Sequence, residues 1–120
     1  MYNIKADAEF SSAHNLRECY KGKCEDLHGH NWRVEAVVER EELDKAGMVF
    51  DFKFLKSELK TVLEKLDHKY LNEIAYFQQI NPTSENIAKY IYDNLKSSIP
   101  EIKSITVWES ENSAATFYEK

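Results

Sequence analysis

Between Cys24 and His30 the chain reads CEDLHGH, which sets a thiol, two carboxylates and two imidazoles within one short stretch. These are the side chains that hold transition metals and move protons near neutral pH. His28 and His30 stand two residues apart. In an extended strand both point to one face about 7 Å apart, and the reach of each imidazole lets them converge on a single ion. Gly29 between them leaves the opposite face clear. If His14 arrives from a neighbouring strand, three neutral nitrogen ligands leave a fourth position open, the pattern of a catalytic zinc; a structural zinc has its coordination closed by four protein ligands. Cys24 competes for that fourth position, or is a small buried hydrophobe, the commoner fate of a lone cysteine. Taken alone, the H-x-H pair is equally well read as two ordinary surface histidines.

The elements that must carry these residues are legible from periodicity. Along YNIKADAEFSSAH, Tyr2, Ile4, Ala6, Ala8 and Phe10 alternate with polar residues, the period-two pattern of a half-buried strand, and the same parity reaches Ser12 and His14. HGHNWRVEAVVER repeats it, with His28, His30, Trp32, Val34, Ala36 and Val38 on one face. The three histidines therefore lie at the ends of two apolar strand faces. In DFKFLKSELKTVLEKLDHKYL, Leu55, Leu59, Val62, Leu63 and Leu66 recur at helical spacing behind Asp51 as a cap. A second helix follows NPTSEN, with Thr83 or Ser84 as its cap and Ile87, Ile91 and Leu95 on its inner face. KSITVWESENSAATFYE reads as two strands joined near Glu111 and Asn112. The order ββααββ predicts an α+β domain, an antiparallel sheet with both helices on one face.

Three further groups can complete a site on this frame. Asp67 and His68 fall where the first helix is expected to end, where a charged imidazole gains from the helix dipole, although a helix-terminal Asp-His pair is often no more than surface decoration. Glu109 shares a strand face with Ile105 and Val107, so its carboxylate continues an apolar stripe. Either it reaches solvent at the strand end, or, half-buried, it needs a cationic or multiply donating partner that no nearby basic residue supplies. A ligand with a planar N–H donor edge fits the second case.

Composition narrows the class. A chain of 120 residues with 42% apolar content and seven tyrosines is the size of a single folded domain, here spanning 1–120. Lys and Arg number 16 against 21 Asp and Glu, a net charge of -5, which argues against nucleic acid or an anionic membrane as a partner. The N-terminus has neither a basic start nor an apolar run, so a cytoplasmic protein without a membrane span is expected. Cys19 and Cys24 are too few for a disulfide scaffold and lack C-x-x-C spacing, so a bridge between them is not expected.

Together, His14, CEDLHGH, the LDH of 66–68, NPTSENIAKYI from 81 and the WES of 108–110 resemble the 6-pyruvoyltetrahydropterin synthase family, and within it the bacterial 6-carboxytetrahydropterin synthases. The resemblance runs from about Phe10 to the C-terminus. It implies a tunnelling fold, in which three subunits close a barrel and two trimers stack into a homohexamer. It implies Zn2+ on His14, His28 and His30, with Cys24 as catalytic thiol and Asp67 and His68 as its acid-base partners. It also implies that Glu109 anchors the 2-amino and N3 edge of a pterin, with Thr83 and Ser84 beside the ring. The implied reaction converts 7,8-dihydroneopterin triphosphate to 6-carboxytetrahydropterin, acetaldehyde and triphosphate for queuosine synthesis, on active sites built between subunits.

Glu25, directly after Cys24, is the departure that bears on the product. In one branch of the family a glutamate replaces the cysteine, and such proteins resemble aldolases that cut dihydroneopterin to 6-hydroxymethyldihydropterin for folate synthesis; others carry a C-E pair, as here, and are associated with both activities. Glu25 is either a group of this kind, beside the substrate, or a solvated loop residue. The 6-pyruvoyl product of the biopterin route is a further alternative. A noncatalytic zinc-dependent binding module would keep the three histidines and need neither Cys24 nor the Asp67–His68 pair.

Overall fold

The alternation in the sequence runs the full length of two long strands in the computed structural model, which describes residues 1–17 and 26–120. Strand β1 spans Tyr2–His14 and β2 spans His28–Arg40, paired antiparallel from Tyr2 opposite Arg40 to His14 opposite His28. Strand β3 (Ile102–Trp108) pairs with β2, and β4 (Ala114–Tyr118) pairs with β3, giving a four-stranded antiparallel sheet in the order β1-β2-β3-β4. The β2–β3 register shifts between Val37, opposite Ser104, and Val38, opposite Ile102, so Lys103 is the extra residue of a bulge in β3.

Helices α1 (Phe52–Glu64) and α2 (Ser84–Lys96) separate the two hairpins in the chain. Asp51 caps α1 by accepting the Lys53 N–H at 2.8 Å, and Thr83 caps α2 by accepting the Asn86 N–H at 3.1 Å. These bonds satisfy donors that a helix start leaves without partners. α1 packs on β1, and α2 on β3 and β4. Leu55, Leu59, Leu63, Ile87, Ile91 and Leu95 interlock with Phe10, Trp32, Val34 and Ile105 in one core. The other sheet face carries Lys5, Asp7, Glu9, Asn31, Arg33 and Thr106, and among the described residues no layer covers it.

One expectation needs correction. α1 ends at Glu64, so Asp67 and His68 do not form its last turn. The Lys65 and Leu66 amides tighten onto Val62 and Leu63, three residues back, and the chain then turns toward β1, where the Leu66 carbonyl accepts the Ser12 hydroxyl. Two 3₁₀ turns, Leu71–Glu73 and Ala75–Phe77, fill the path to α2; turns this short leave no periodicity to read.

Candidate metal centre

Strand pairing determines which imidazoles meet. His14 and His28 are direct cross-strand partners, and His30 lies two residues along β2 on the same face. Ring centroids lie 4.7 Å apart for His14–His28, 5.4 Å for His14–His30 and 4.5 Å for His28–His30. His14 is buried, and the other two are half-buried. The floor is Trp32, fully buried one step further along β2, with its ring 4.8 Å from His14 and 5.1 Å from His30. Trp32 donates its indole N–H to the Ser12 carbonyl at 3.2 Å and stacks on Phe10. It shares parity with His28 and His30 in the sequence, but nothing there distinguishes a site floor from an ordinary core residue.

Second partners orient the rings. His14 Nδ1 lies 2.8 Å from the Pro82 carbonyl, and His28 Nδ1 lies 2.8 Å from the Asp26 carbonyl. A carbonyl only accepts, so each Nδ1 is the donor and each neutral ring presents its Nε2 lone pair to the cluster. Those two Nε2 atoms stand 3.1 Å apart. Facing lone pairs at that separation repel unless a cation lies between them. The Glu109 Oε1 joins them at 3.0 Å from His30 Nε2, 3.6 Å from His14 Nε2 and 3.9 Å from His28 Nε2. All four donor atoms fall within 4.8 Å of one another. A tetrahedral ion with ligands at about 2.0–2.1 Å holds its donors about 3.3–3.4 Å apart, so this group could hold a metal after small side-chain adjustments.

Glu109 sits just beyond β3, where its amide N–H bonds the Ser113 carbonyl at 3.2 Å across the turn to β4. Its Oε2 faces the Ser84 hydroxyl at 3.5 Å. Thr83 uses its oxygen as the α2 cap and keeps its O–H as a donor. One short segment therefore serves three purposes: Pro82 orients His14, Thr83 starts α2, and Ser84 meets Glu109. Neither the carbonyl of Pro82 nor that of Asp26 leaves a sequence signal, since every residue has one.

Asp67 and His68 lie elsewhere, on the outer edge of β1. Asp67 accepts the Ser11 N–H at 2.8 Å, and its other oxygen meets His68 Nδ1 at 3.0 Å. The Ser11 N–H, the largest influence, holds the Asp67 carboxyl below its ordinary range against desolvation, with the imidazole beside it adding to the lowering. His68 has φ of 55°, a left-handed backbone uncommon for a non-glycine, and its N–H bonds the Ser11 carbonyl at 2.6 Å. Its side chain points to solvent, 82% exposed, outside the group of His14, His28, His30 and Glu109. Cys24 and Glu25 lie outside the described residues.

The edge of β1 is closed further along by side-chain amides that sequence reading did not single out. Asn72 accepts the Asn15 N–H at 3.0 Å and donates to its carbonyl at 2.8 Å, and Asn81 does the same for Arg17 at 2.7 Å and 2.5 Å. With Lys69 bonding Ala13, backbone groups of residues 11, 13, 15 and 17 all find partners on this side. The chain leaving His14 is thus held at alternate residues. Among the described residues, no helix is long and apolar enough to cross a membrane.

Comparison with known proteins agrees with this architecture. Residues 3–120 match the family described as 6-pyruvoyl tetrahydropterin synthase. A 6-carboxy-5,6,7,8-tetrahydropterin synthase from Synechocystis is 36% identical over 98% of this chain and 94% of its own. A dihydroneopterin monophosphate aldolase from Pyrococcus furiosus is 38% identical over 85% of this chain and 84% of its own. The solved 6-pyruvoyl tetrahydropterin synthase of Caenorhabditis elegans superposes with a TM-score of 0.88 at 28% identity, covering 99% of this chain and 96% of that one. With this breadth of match, the chain belongs to the 6-pyruvoyl tetrahydropterin synthase family.

Proposed function

We propose that the protein is a zinc-dependent 6-carboxy-5,6,7,8-tetrahydropterin synthase, acting in the cytoplasm on 7,8-dihydroneopterin triphosphate and one water to give 6-carboxytetrahydropterin, acetaldehyde and triphosphate on the route to queuosine. The observation that carries this reading is the convergence of three Nε2 atoms on one point beside a half-buried carboxylate. His14, His28 and His30 would hold the zinc, which when bound supplies a Lewis acid that lowers the pKa of a side-chain hydroxyl and stabilises negative charge developing beside it.

Each residue has a role that its chemistry suits. Glu109 accepts from the 2-amino and N3–H edge of the pterin, with Thr83 and Ser84 beside the ring; the Ser84 hydroxyl at 3.5 Å supports this orientation of the carboxylate. The Cys24 thiolate takes a proton from a side-chain carbon. Asp67 orients His68, and the imidazole moves a proton on the opposite side of the substrate. The exposure of His68 beyond the outer edge of β1 supports a site completed between subunits. β1 and β4 are the two edges of the sheet, which a head-to-tail ring would join, and a homohexamer built as a dimer of trimers is the assembly that the family resemblance implies.

A second reading has its own observation. The Pyrococcus furiosus relative named as an aldolase is as similar to this chain as the synthase from Synechocystis, and the Cys24–Glu25 pair is of the kind associated with both activities. Mass-spectrometric product analysis separates the readings. A 6-carboxy product with acetaldehyde from 7,8-dihydroneopterin triphosphate supports the synthase. A 6-hydroxymethyl product moves the protein to side-chain cleavage, a 6-pyruvoyl product moves it to the biopterin-type reaction, and no turnover favours a binding module.

A further inference from the structure

A substrate with a phosphorylated tail needs a cation beyond the metal, and the protein as a whole is acidic. Arg33 is engaged elsewhere: it pairs with Asp7 at 3.3 Å and lies over Trp108, on the sheet face away from the histidines. Arg17 differs. It follows His14 by three residues, so the two Cα atoms are at most about 10–11 Å apart. The Nη2 group of Arg17 donates to the carbonyls of Phe77 and Ile80, the latter at 2.9 Å. Two carbonyl contacts fix the guanidinium in place without neutralising it. Nε and Nη1 keep three N–H donors, each able to donate singly to a phosphate oxygen, while the positive charge stays uncompensated. Among the described residues no carboxylate pairs with Arg17. Beside it is a cavity of about 210 Å³ lined by Arg17, Gln78, Gln79 and Asn81, all of them hydrogen-bonding side chains.

The chain leaving His14 places this cavity beside the site. Reading from β3 through β2 to β1, Glu109 comes first, then His28 and His30, then His14, and Arg17 continues beyond the end of β1. Asn81 joins the two ends: its side chain brackets the Arg17 backbone, and the next residue, Pro82, orients His14. We propose that Arg17, with the cavity formed by Gln78, Gln79 and Asn81, binds the phosphate tail of the pterin substrate and determines preference for a phosphorylated side chain. This inference rests on the pterin reading above. It applies equally to a monophosphate or a triphosphate, since the shared chemistry is a phosphate oxyanion at a guanidinium.

The test uses oxidised neopterin, its monophosphate and its triphosphate as probes, titrated by fluorescence into the zinc-loaded wild-type protein. Phosphorylation is expected to tighten binding about ten- to hundredfold, the range for a charge-assisted contact. Arg17→Gln is expected to remove most of that gain while leaving the neopterin Kd unchanged, which also shows that the fold is intact. Gln79→Glu keeps Arg17 and alters only an exposed side chain, yet places an anion in the cavity and is expected to narrow the gain as well. Comparing the two phosphates shows which tail fits better. Undiminished preference in both variants overturns the assignment, as does a wild-type protein that binds all three probes equally, and either result leaves the pterin reading intact. Failure of the wild-type protein to bind neopterin in any form overturns that reading, and the assignment with it.

Discussion

His14 and His28 face each other across β1 and β2 with their Nε2 atoms 3.1 Å apart, while the Nδ1 of each is bonded to a backbone carbonyl. The carbonyls commit both lone pairs to the same point before any ion arrives. A cation there relieves a repulsion that the folded chain otherwise carries, so zinc is expected to stabilise the fold by mass action, by about 2.7 kcal/mol at a free concentration one hundred times Kd. Thermal melts with added zinc and with a chelator check this. His28→Ala is expected to abolish the zinc-dependent part of the shift.

The two helix caps separate stability from site geometry. Asp51→Ala and Thr83→Ala each remove one cap bond, and each is expected to cost about 1 kcal/mol in denaturant melts. Only Thr83 lies between Pro82, which orients His14, and Ser84, which meets Glu109. Thr83→Ala is therefore expected to weaken neopterin binding several-fold, and Asp51→Ala to leave it unchanged. Equal effects on binding would show that the α2 start does not shape the site.

Acid should loosen the contact between the 66–70 segment and β1. The Ser11 N–H holds the Asp67 carboxyl below its ordinary range. A carboxyl with a lowered folded-state pKa contributes stability that is full above its unfolded value, about 4, and is lost as pH falls through the folded value. The wild-type protein is expected to lose stability progressively below about pH 4. Asp67→Asn, which keeps an oxygen for the Ser11 N–H, is expected to flatten part of that acid limb. Glu101, lowered mainly by its bond to Arg40, titrates in the same direction and preserves the rest. Urea melts from pH 2.5 to 7 check the difference.

Cys24→Ala is expected to leave zinc content and oligomer size unchanged and to abolish turnover of 7,8-dihydroneopterin triphosphate. Elemental analysis, size-exclusion chromatography with light scattering, and product analysis on one preparation read all three. Retained turnover contradicts the role of the thiol as base, and lost zinc makes Cys24 a ligand.

Much of this site was legible in the sequence because strands advertise their faces. Parity alone placed His14, His28 and His30 on the same sheet face, and the observed register brings them together. The cap at Asp51 was legible for a similar reason, as was the second cap to within Thr83 or Ser84, since a side chain that accepts a helix amide has a fixed place relative to the apolar pattern; the structure selects Thr83. Long-range backbone chemistry was not. The Pro82 and Asp26 carbonyls that orient two rings belong to residues of no distinguishing type, and Asp67 meets an amide 56 positions away. The early end of α1 escaped for the same reason: Leu66 continues the apolar stripe, yet its carbonyl accepts from Ser12 on β1. Glu109 was expected either to reach solvent at the strand end or to want a partner rich in donors. Within one chain it meets imidazole Nε2 atoms, so metal ligand and pterin anchor become competing roles for one carboxylate.

Zinc stoichiometry tests the centre most directly, measured by elemental analysis after reconstitution and desalting of the wild type, His14→Ala, His30→Ala and Glu109→Gln. One ion per chain is expected in the wild type, loss in both histidine variants, and retention in Glu109→Gln with pterin binding lost. Zinc retained without His14 or His30 would contradict the three-imidazole centre, and zinc lost from Glu109→Gln would make that carboxylate a ligand.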